Sequence, residues 1–496
     1  VAFEVVYKDL MGRIGILEIR SGAIETPAIM PVINPKQLLI KPSEMRKLGA
    51  EVLITNSYII YRTLELREKA ISEGLHRLLE VDLPIMTDSG AYQLSQYGEL
   101  EVTPKDILEF QLKIGSDIAV PLDIPTQPDA AREIAEQEMI ETINRLREAK
   151  AISRNYSGTL LAAPIQGSTF LDLRMECACA AQEIGFDLYA IGGVVPLMET
   201  YRFEELVDII MAVKQKLPAS APIHLFGAGH PMMLCLAVAL GCDLFDSAAY
   251  ALYAKDGRYI TSNGTYKLDE LTYLPCACEV CSNYKASELK HLESKIKIQL
   301  IAKHNLYVTF AELRRVKQAI KEQALWELIA ARCRSHPKLL QGFKNALKYI
   351  DLLEKFNPAV KRAFFYTGPE SACSPEVVRY RKRLLQLKLE GSILITTKKV
   401  ALEEQFDNVF YVKAPFGPYP VELKETYPIG QAEVIHSLDF EAITAALENV
   451  LRFAEANASS NAITFIYDKK WEHGLINKIA RFAKTIRFED IKFQFK

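Results

Sequence analysis

Three aspartates in the first half of the chain stand where an apolar run breaks off. Asp88 follows "PIMT", Asp123 follows "SDIAVPL" and Asp246 follows "CDLF". A carboxylate at the edge of buried sequence is costly unless it is paired or put to use. Two carboxylates held in a partly apolar cleft suit displacement at the anomeric carbon of a sugar. One attacks or stabilises an oxocarbenium-like centre, and the other passes a proton to and from the leaving group. The competing expectation is that each aspartate only caps the helix that follows it. Metal-dependent hydrolysis is disfavoured, because no H-x-H or H-E-x-x-H pattern occurs.

A second cluster points to a metal. Cys276, Cys278 and Cys281 form C-x-C-x2-C, and His291 and His304 follow. Three thiolates and one imidazole make a closed tetrahedral zinc site with no position for water, hence a structural one. The spacing leaves both histidines open as the fourth ligand. Cys177 and Cys179, in "MECACAAQEIG", read as core, because positions i and i+2 diverge on a helix.

These residues need a scaffold, and the sequence supplies a repeating one. Eight apolar segments lie between about residues 28 and 250: 28–33, 51–57, 84–90, 116–123, 159–167, 186–193, 222–227 and 242–247. Most are near-continuous apolar runs, as strands covered on both faces are. Stretches such as 128–155 between them have helical periodicity. Eight βα units in a row predict an α/β fold, a (β/α)8 TIM barrel, with an open doubly wound sheet as the alternative. In a barrel the strands' C-terminal ends carry the chemistry. Asp88, Asp123, Gln166, the Gly192–Gly193 pair, Phe226 and Asp246 fall at those ends. A Schiff-base mechanism would need a strand-end lysine, and none of the eight segments has one.

The rest of the chain sets the frame. It has 496 residues, 49% hydrophobic and 25% charged, with a formal net charge of -2, so global basicity gives no argument for a nucleic-acid partner. The first residues alternate like strands and lack the pattern of a signal peptide. The expected organisation is a catalytic barrel over 1–345 with a zinc-binding subdomain at about 270–310. Smaller α+β C-terminal domains are expected over 346–430 and 431–496. The proline-rich stretch 414–434 reads as an exposed connection, and "KWEHGLINKIARFAKTIR" as a helix.

Six motifs occur in an order that resembles the tRNA-guanine transglycosylases, specifically their archaeal branch. They are "MTDSGAYQ", "PIQGS", "YAIGGVVPLMET", "HLFGAG", "GCDLFDS" and the C-x-C-x2-C…H site. The resemblance spans 1–350 and continues through "FFYTGPES". It implies a cytoplasmic pentosyltransferase of archaeosine biosynthesis, which exchanges guanine 15 in the tRNA D-loop for 7-cyano-7-deazaguanine (preQ0). Asp246 would be the nucleophile and Asp88 the general acid/base. Asp123, Gln166, Ser89, Gly192 and Gly193 would bind the base, with Tyr92 and Phe226 sandwiching it. His304 would complete one structural zinc site per chain. The implied partners are tRNA, guanine and preQ0, and a second copy of the chain. No RNA-binding PUA domain is recognisable, so a separate PUA-domain subunit is expected. Basic stretches at 314–321 and 377–384, the latter with Arg381 and Arg383, would then grip tRNA. The alternatives are a non-catalytic tRNA-binding or scaffold subunit, or a paralogue acting on preQ0 already in tRNA.

Overall fold

The eight apolar runs become eight parallel strands in a computed structural model that describes residues 3–91 and 102–491. Two units are distinguished, Val1–Ala346 and Leu347–Lys496. The first opens with three antiparallel strands, β1 (Phe3–Asp9), β2 (Gly12–Ile19) and β3 (Gly22–Thr26). The barrel follows: β4 (Ala28–Ile33), β5 (Leu53–Asn56), β6 (Ile85–Asp88), β7 (Ile118–Ala119), β8 (Leu160–Ile165), β9 (Leu188–Ile191), β10 (Ile223–Leu225) and β11 (Leu244–Ser247). Each strand pairs with its neighbour in sequence, and β11 closes on β4. The barrel is therefore closed, and the open sheet is excluded.

Successive side chains of a strand face opposite ways. Met30, Ile54, Met86, Ile118, Ala162, Leu188 and Leu244 gather into one buried cluster, which Leu17 and Ile24 of the N-terminal sheet join. All of the barrel members have even numbers. Continuing the same phase along the strands leads to Asn56, Asp88, Gln166, Gly192, Phe226 and Asp246 at the C-terminal end. The core thus sets which residues reach the mouth.

The opposite end has its own aspartates, and they are structural. Asp117, Asp187 and Asp243 sit just before β7, β9 and β11, and each carboxylate accepts a backbone N–H of a neighbouring strand at 2.8 Å, from Ile85, Leu161 and Ile223. Asp243 also takes a two-pronged ion pair from Arg13, at 2.7 and 2.8 Å, which ties β2 to the barrel. Bidentate geometry with this burial makes it far stronger than a surface pair.

Beyond the barrel, a hairpin (Arg258–Thr261 with Gly264–Lys267) leads into the cysteine cluster and a 29-residue helix, Ser294–Glu322. Its buried residues Ile301, Asn305, Thr309, Glu312, Val316 and Ile320 recur every three or four positions, the signature of one helix face. Buried Asn305 is satisfied: its amide donates to the carbonyls of Tyr250 and Arg258 and accepts from the Ile260 N–H.

The second unit holds a five-stranded sheet in the order Gly417–Pro420, Asn408–Lys413, Ile393–Thr396, Ile463–Tyr467, Lys484–Arg487. The expected boundary at 430 falls inside this sheet, because Ile393–Thr396 pairs with Ile463–Tyr467 across it. Two local expectations are corrected. The proline-rich stretch is not a wholly exposed connection: Phe416 is fully buried and Gly417–Pro420 forms the edge strand, where a missing N–H is tolerated. "KWEHGLINKIARFAKTIR" is not one helix. It splits into a 3-10 turn, a four-residue helix at Ile476–Ile479 and the strand Lys484–Arg487. Gly474 weakens the helix, and β-branched Thr485 and Ile486 gain strand pairing with Phe465 and Ile466. Among the described residues no helix is long and apolar enough to cross a membrane.

Candidate active site and metal centre

Asp88 ends β6, and the chain turns away at once through Gly90, whose φ of 87° lies in the left-handed region. A side chain there would also meet Tyr58 Cβ at 2.5 Å, so glycine is required twice over. Asn56, at the end of β5, donates from Nδ2 to Asp88 Oδ2 at 3.1 Å. Its own Oδ1 accepts the Ile59 N–H as a helix cap, which fixes which face of the amide is offered. The Ser57 hydroxyl donates to the Asp88 carbonyl at 2.7 Å.

Burial, and then the charges of Asp123 and Asp246, push the Asp88 carboxyl up from 3.8 to about 7, against the opposing N–H bonds of Gly90 and Ser89. A carboxyl of that pKa can give and take a proton near neutrality. The same electrostatics show that the three aspartates converge on one mouth.

Asp246 is held differently. Its Oδ1 accepts the Gly227 N–H at 2.7 Å and lies 2.8 Å from His224 Nε2. It is not a helix cap: the next helix, Ala249–Lys255, starts at Ala248, and the Ser247 hydroxyl accepts the Ala249 N–H. Asp123 caps nothing either, since helix Arg132–Ser153 begins from Ala131 with no side-chain cap. Asp123 receives the Gln166 amide at 2.5 Å, which leaves Gln166 Oε1 buried without a partner among the described residues. Burial raises the Asp123 carboxyl against that bond and against the charges of Arg145 and Arg174.

Gly192 and Gly193 bring backbone against this amide. A Cβ on Gly192 would collide with Gln166 Nε2, and one on Gly193 would lie 3.0 Å from Gln166 Oε1. The Gly192 N–H is already given to the Ile165 carbonyl. Its carbonyl accepts from Arg174 at 2.8 Å. Phe226 packs its ring on His224, with centroids 4.3 Å apart. The Ser89 hydroxyl is buried with no partner among the described residues. Tyr92 lies outside the described residues.

Sequence reasoning missed three groups: Asn56, His224 and Arg174. Arg174 is wholly buried and donates to the carbonyls of Ser168, Ile165 and Gly192, welding the end of β8 to the end of β9. Burial pushes its guanidinium down to about 10. For His224 a signal existed: it precedes Phe226 by two in a strand, so both share a face.

A buried polar atom without a partner is unusual and calls for a reason. Here Ser89 Oγ, Gln166 Oε1 and Arg174 Nη2 share that condition around one mouth. A ligand with its own donors and acceptors would satisfy them.

The metal cluster assembles as expected. Ligand atoms of Cys276, Cys278, Cys281 and His304 lie within 4.8 Å of one another. His304 Nδ1 is 3.5 Å from Cys278 Sγ and 3.4 Å from Cys281 Sγ, and those two sulfurs are 3.5 Å apart. A tetrahedron with bonds of about 2.0–2.3 Å has edges of about 3.3–3.8 Å, so these residues fit a bound ion. His304 Nε2 donates to the Ile260 carbonyl at 2.9 Å, which turns the Nδ1 lone pair toward the sulfurs. The Tyr259 ring stacks on the imidazole at 3.7 Å. His291 is exposed, with Nδ1 on the Ser287 carbonyl, and takes no part.

The chain is also similar to known proteins. Residues 9–338 match the model of the queuine tRNA-ribosyltransferase family. The chain is 54% identical to the tRNA-guanine(15) transglycosylase of Methanosarcina mazei, over 98% of each chain. It is 49% identical to that of Haloferax volcanii, over 99% of this chain and 94% of the other. With that of Methanocaldococcus jannaschii it shares 49% identity, over 88% of this chain and 69% of the relative.

Proposed function

Since the chain belongs to the queuine tRNA-ribosyltransferase family and is an enzyme of glycosyltransferase type, we propose that it exchanges guanine 15 of tRNA for preQ0. The exchange is a step of archaeosine biosynthesis in the cytoplasm. The observation that carries the reading is the division of labour between two carboxylates at one mouth. Asp246, with Oδ1 tied by two bonds, keeps Oδ2 for attack on ribose C1′. Asp88, with its pKa near 7, delivers a proton to the departing guanine and recovers one from the incoming base. Between the two steps the ribose is bonded covalently to Asp246.

The base pocket fits the same reading. Guanine and preQ0 present N–H donors, and the Asp123 carboxylate and Gln166 Oε1 are acceptors buried beside each other. A base without those donors would leave Gln166 Oε1 unpaired, a large penalty. Ser89 and the Gly193 backbone complete the polar edge, and Phe226 stacks on the ring.

Cys276, Cys278, Cys281 and His304 would hold one zinc ion per chain. With all four positions filled by protein, it clamps the cysteine loop to the long helix and takes no part in exchange. A homodimer and a separate PUA-domain subunit belong to the same proposal, with tRNA as the shared substrate. A scaffold subunit, or a paralogue acting on preQ0 already in tRNA, would not need this aspartate pair, and its presence disfavours both.

The test is incorporation of labelled guanine into an unmodified tRNA transcript, with Asp246→Ala as control. Incorporation by the parent chain only, with tRNA binding kept in the variant, supports the reading. Exchange by Asp246→Ala would remove the nucleophile. No incorporation by the zinc-loaded parent, with or without candidate partner subunits, would overturn the activity.

A further inference from the structure

We infer that His224 is a positioning residue for the nucleophile, an inference that rests on the proposed role of Asp246. The imidazole is fully buried at the end of β10, with Nε2 2.8 Å from Asp246 Oδ1. An ionised carboxylate only accepts, so Nε2 carries the proton and donates. Its Nδ1 is buried without a partner among the described residues. The ring is fixed from the side by Phe226. The Gly227 N–H donates to the same carboxylate oxygen at 2.7 Å, from a residue whose φ of 69° turns the backbone N–H inward. Two donors on Oδ1 leave one carboxylate rotation, with Oδ2 toward the open mouth.

The arrangement serves both halves of the exchange. In the first, an electron pair of Oδ2 forms the bond to C1′ as the C1′–N9 bond breaks. Guanine leaves with the electron pair of the broken C1′–N9 bond and takes a proton from Asp88. In the second, N9 of the incoming base gives its proton to Asp88 and bonds to C1′, and the Oδ2–C1′ pair returns to Asp246. Oδ1 is a carboxylate oxygen at the start, an ester carbonyl oxygen in between and a carboxylate oxygen again at the end. His224 donates to it throughout and neither gains nor loses a proton. Charge returning to the carboxylate meets donors already in place, so no reorganisation is needed at that moment.

The experiment compares the parent chain with Asp246→Ala, His224→Leu, His224→Gln and His224→Asn. It measures steady-state guanine exchange, thermal stability and the yield of covalent protein–tRNA adduct on denaturing gels. Misplacing a nucleophile by about an ångström costs roughly 100-fold. His224→Leu should therefore lower kcat by roughly that factor and leave KM for tRNA within about twofold. Glutamine can place its amide nitrogen close to the position of Nε2 and should recover at least about tenfold, whereas asparagine falls one bond short and should not. Equal kcat for the parent and His224→Leu would overturn the inference, as would equal losses in His224→Gln and His224→Asn. If His224→Leu fails to fold, the comparison of glutamine with asparagine decides alone. Exchange surviving in Asp246→Ala would sink the nucleophile reading itself. A dead Asp246→Ala beside an unimpaired His224→Leu would sink only the positioning role.

Discussion

Replacing Asp88 with Asn should make the barrel more stable at alkaline pH while ending catalysis. Burial and two neighbouring carboxylates raise the Asp88 pKa from 3.8 to about 7. At 1.36 kcal/mol per unit, a shift of about three units is a ceiling of about 4 kcal/mol. The side chain is only part-buried at the mouth, and solvent screening lowers that to about 2–4 kcal/mol. The sign follows from linkage. Between the two pKa values the folded protein holds a proton that the unfolded chain has released, so native stability falls as pH rises through this window and levels above about 7. Asparagine does not titrate. It should match the parent near pH 4 and exceed it by about 2–4 kcal/mol at about pH 8.5. For the 346-residue unit, an unfolding entropy of about 2.1 cal/mol/K per residue converts this to about 3–6 °C in Tm. Calorimetric scans of both proteins from about pH 4.5 to 8.5 give the difference, in which other titrating groups cancel. A Tm difference that stays flat across the range would refute the raised pKa and, with it, the assignment of Asp88 as the proton carrier.

Three further outcomes are expected. Gly192→Ala should push the buried Gln166 amide off Asp123, costing the fold about 1–3 kcal/mol and raising KM for the base by at least about tenfold. Equilibrium binding and exchange kinetics measure both. His304→Ala, like removal of the ion by a strong chelator, should abolish stoichiometric zinc binding and lower Tm; metal analysis that finds a full equivalent of zinc in the variant would disprove the site. Reversing charge at Arg381 and Arg383 together should weaken tRNA binding and make the plot of log K against log salt shallower by about two phosphate contacts, whereas unchanged affinity and slope would place tRNA elsewhere.

What could be read from the sequence follows from how local its physical cause was. The barrel was legible because each strand is an apolar run covered on both faces, and each repeats the same βα unit. That Asp88 and Asp246 lie at the C-terminal ends of their strands was legible because a carboxylate interrupts such a run there. The aspartates at the other end are the same residue type in the same runs, and only pairing geometry shows Asp117, Asp187 and Asp243 to be strand staples. Arg174 reads as an ordinary helix residue, because its burial depends on carbonyls from two separate strands. His224 hides for the reason that it packs: a lone histidine in an apolar strand looks like core until the next strand brings Asp246 to it. In the second unit, the strand at Lys484–Arg487 depends on a partner some twenty residues earlier in the chain. Spacing left His291 and His304 both open; the resemblance pointed to His304, and the hairpin carbonyl that orients its ring lies beyond any spacing rule.

The even-numbered phase shared by the core and the mouth has a consequence for mutation by insertion and deletion. A residue lost from β6 ahead of Met86 moves Met86 off the interior face in the same event that turns Asp88 away from the mouth. In such frames the interior packing and the direction of the carboxylate are lost together. Interior packing and the direction of the mouth carboxylates are thus one constraint on the strands, and changes of length are better tolerated in the loops that follow them.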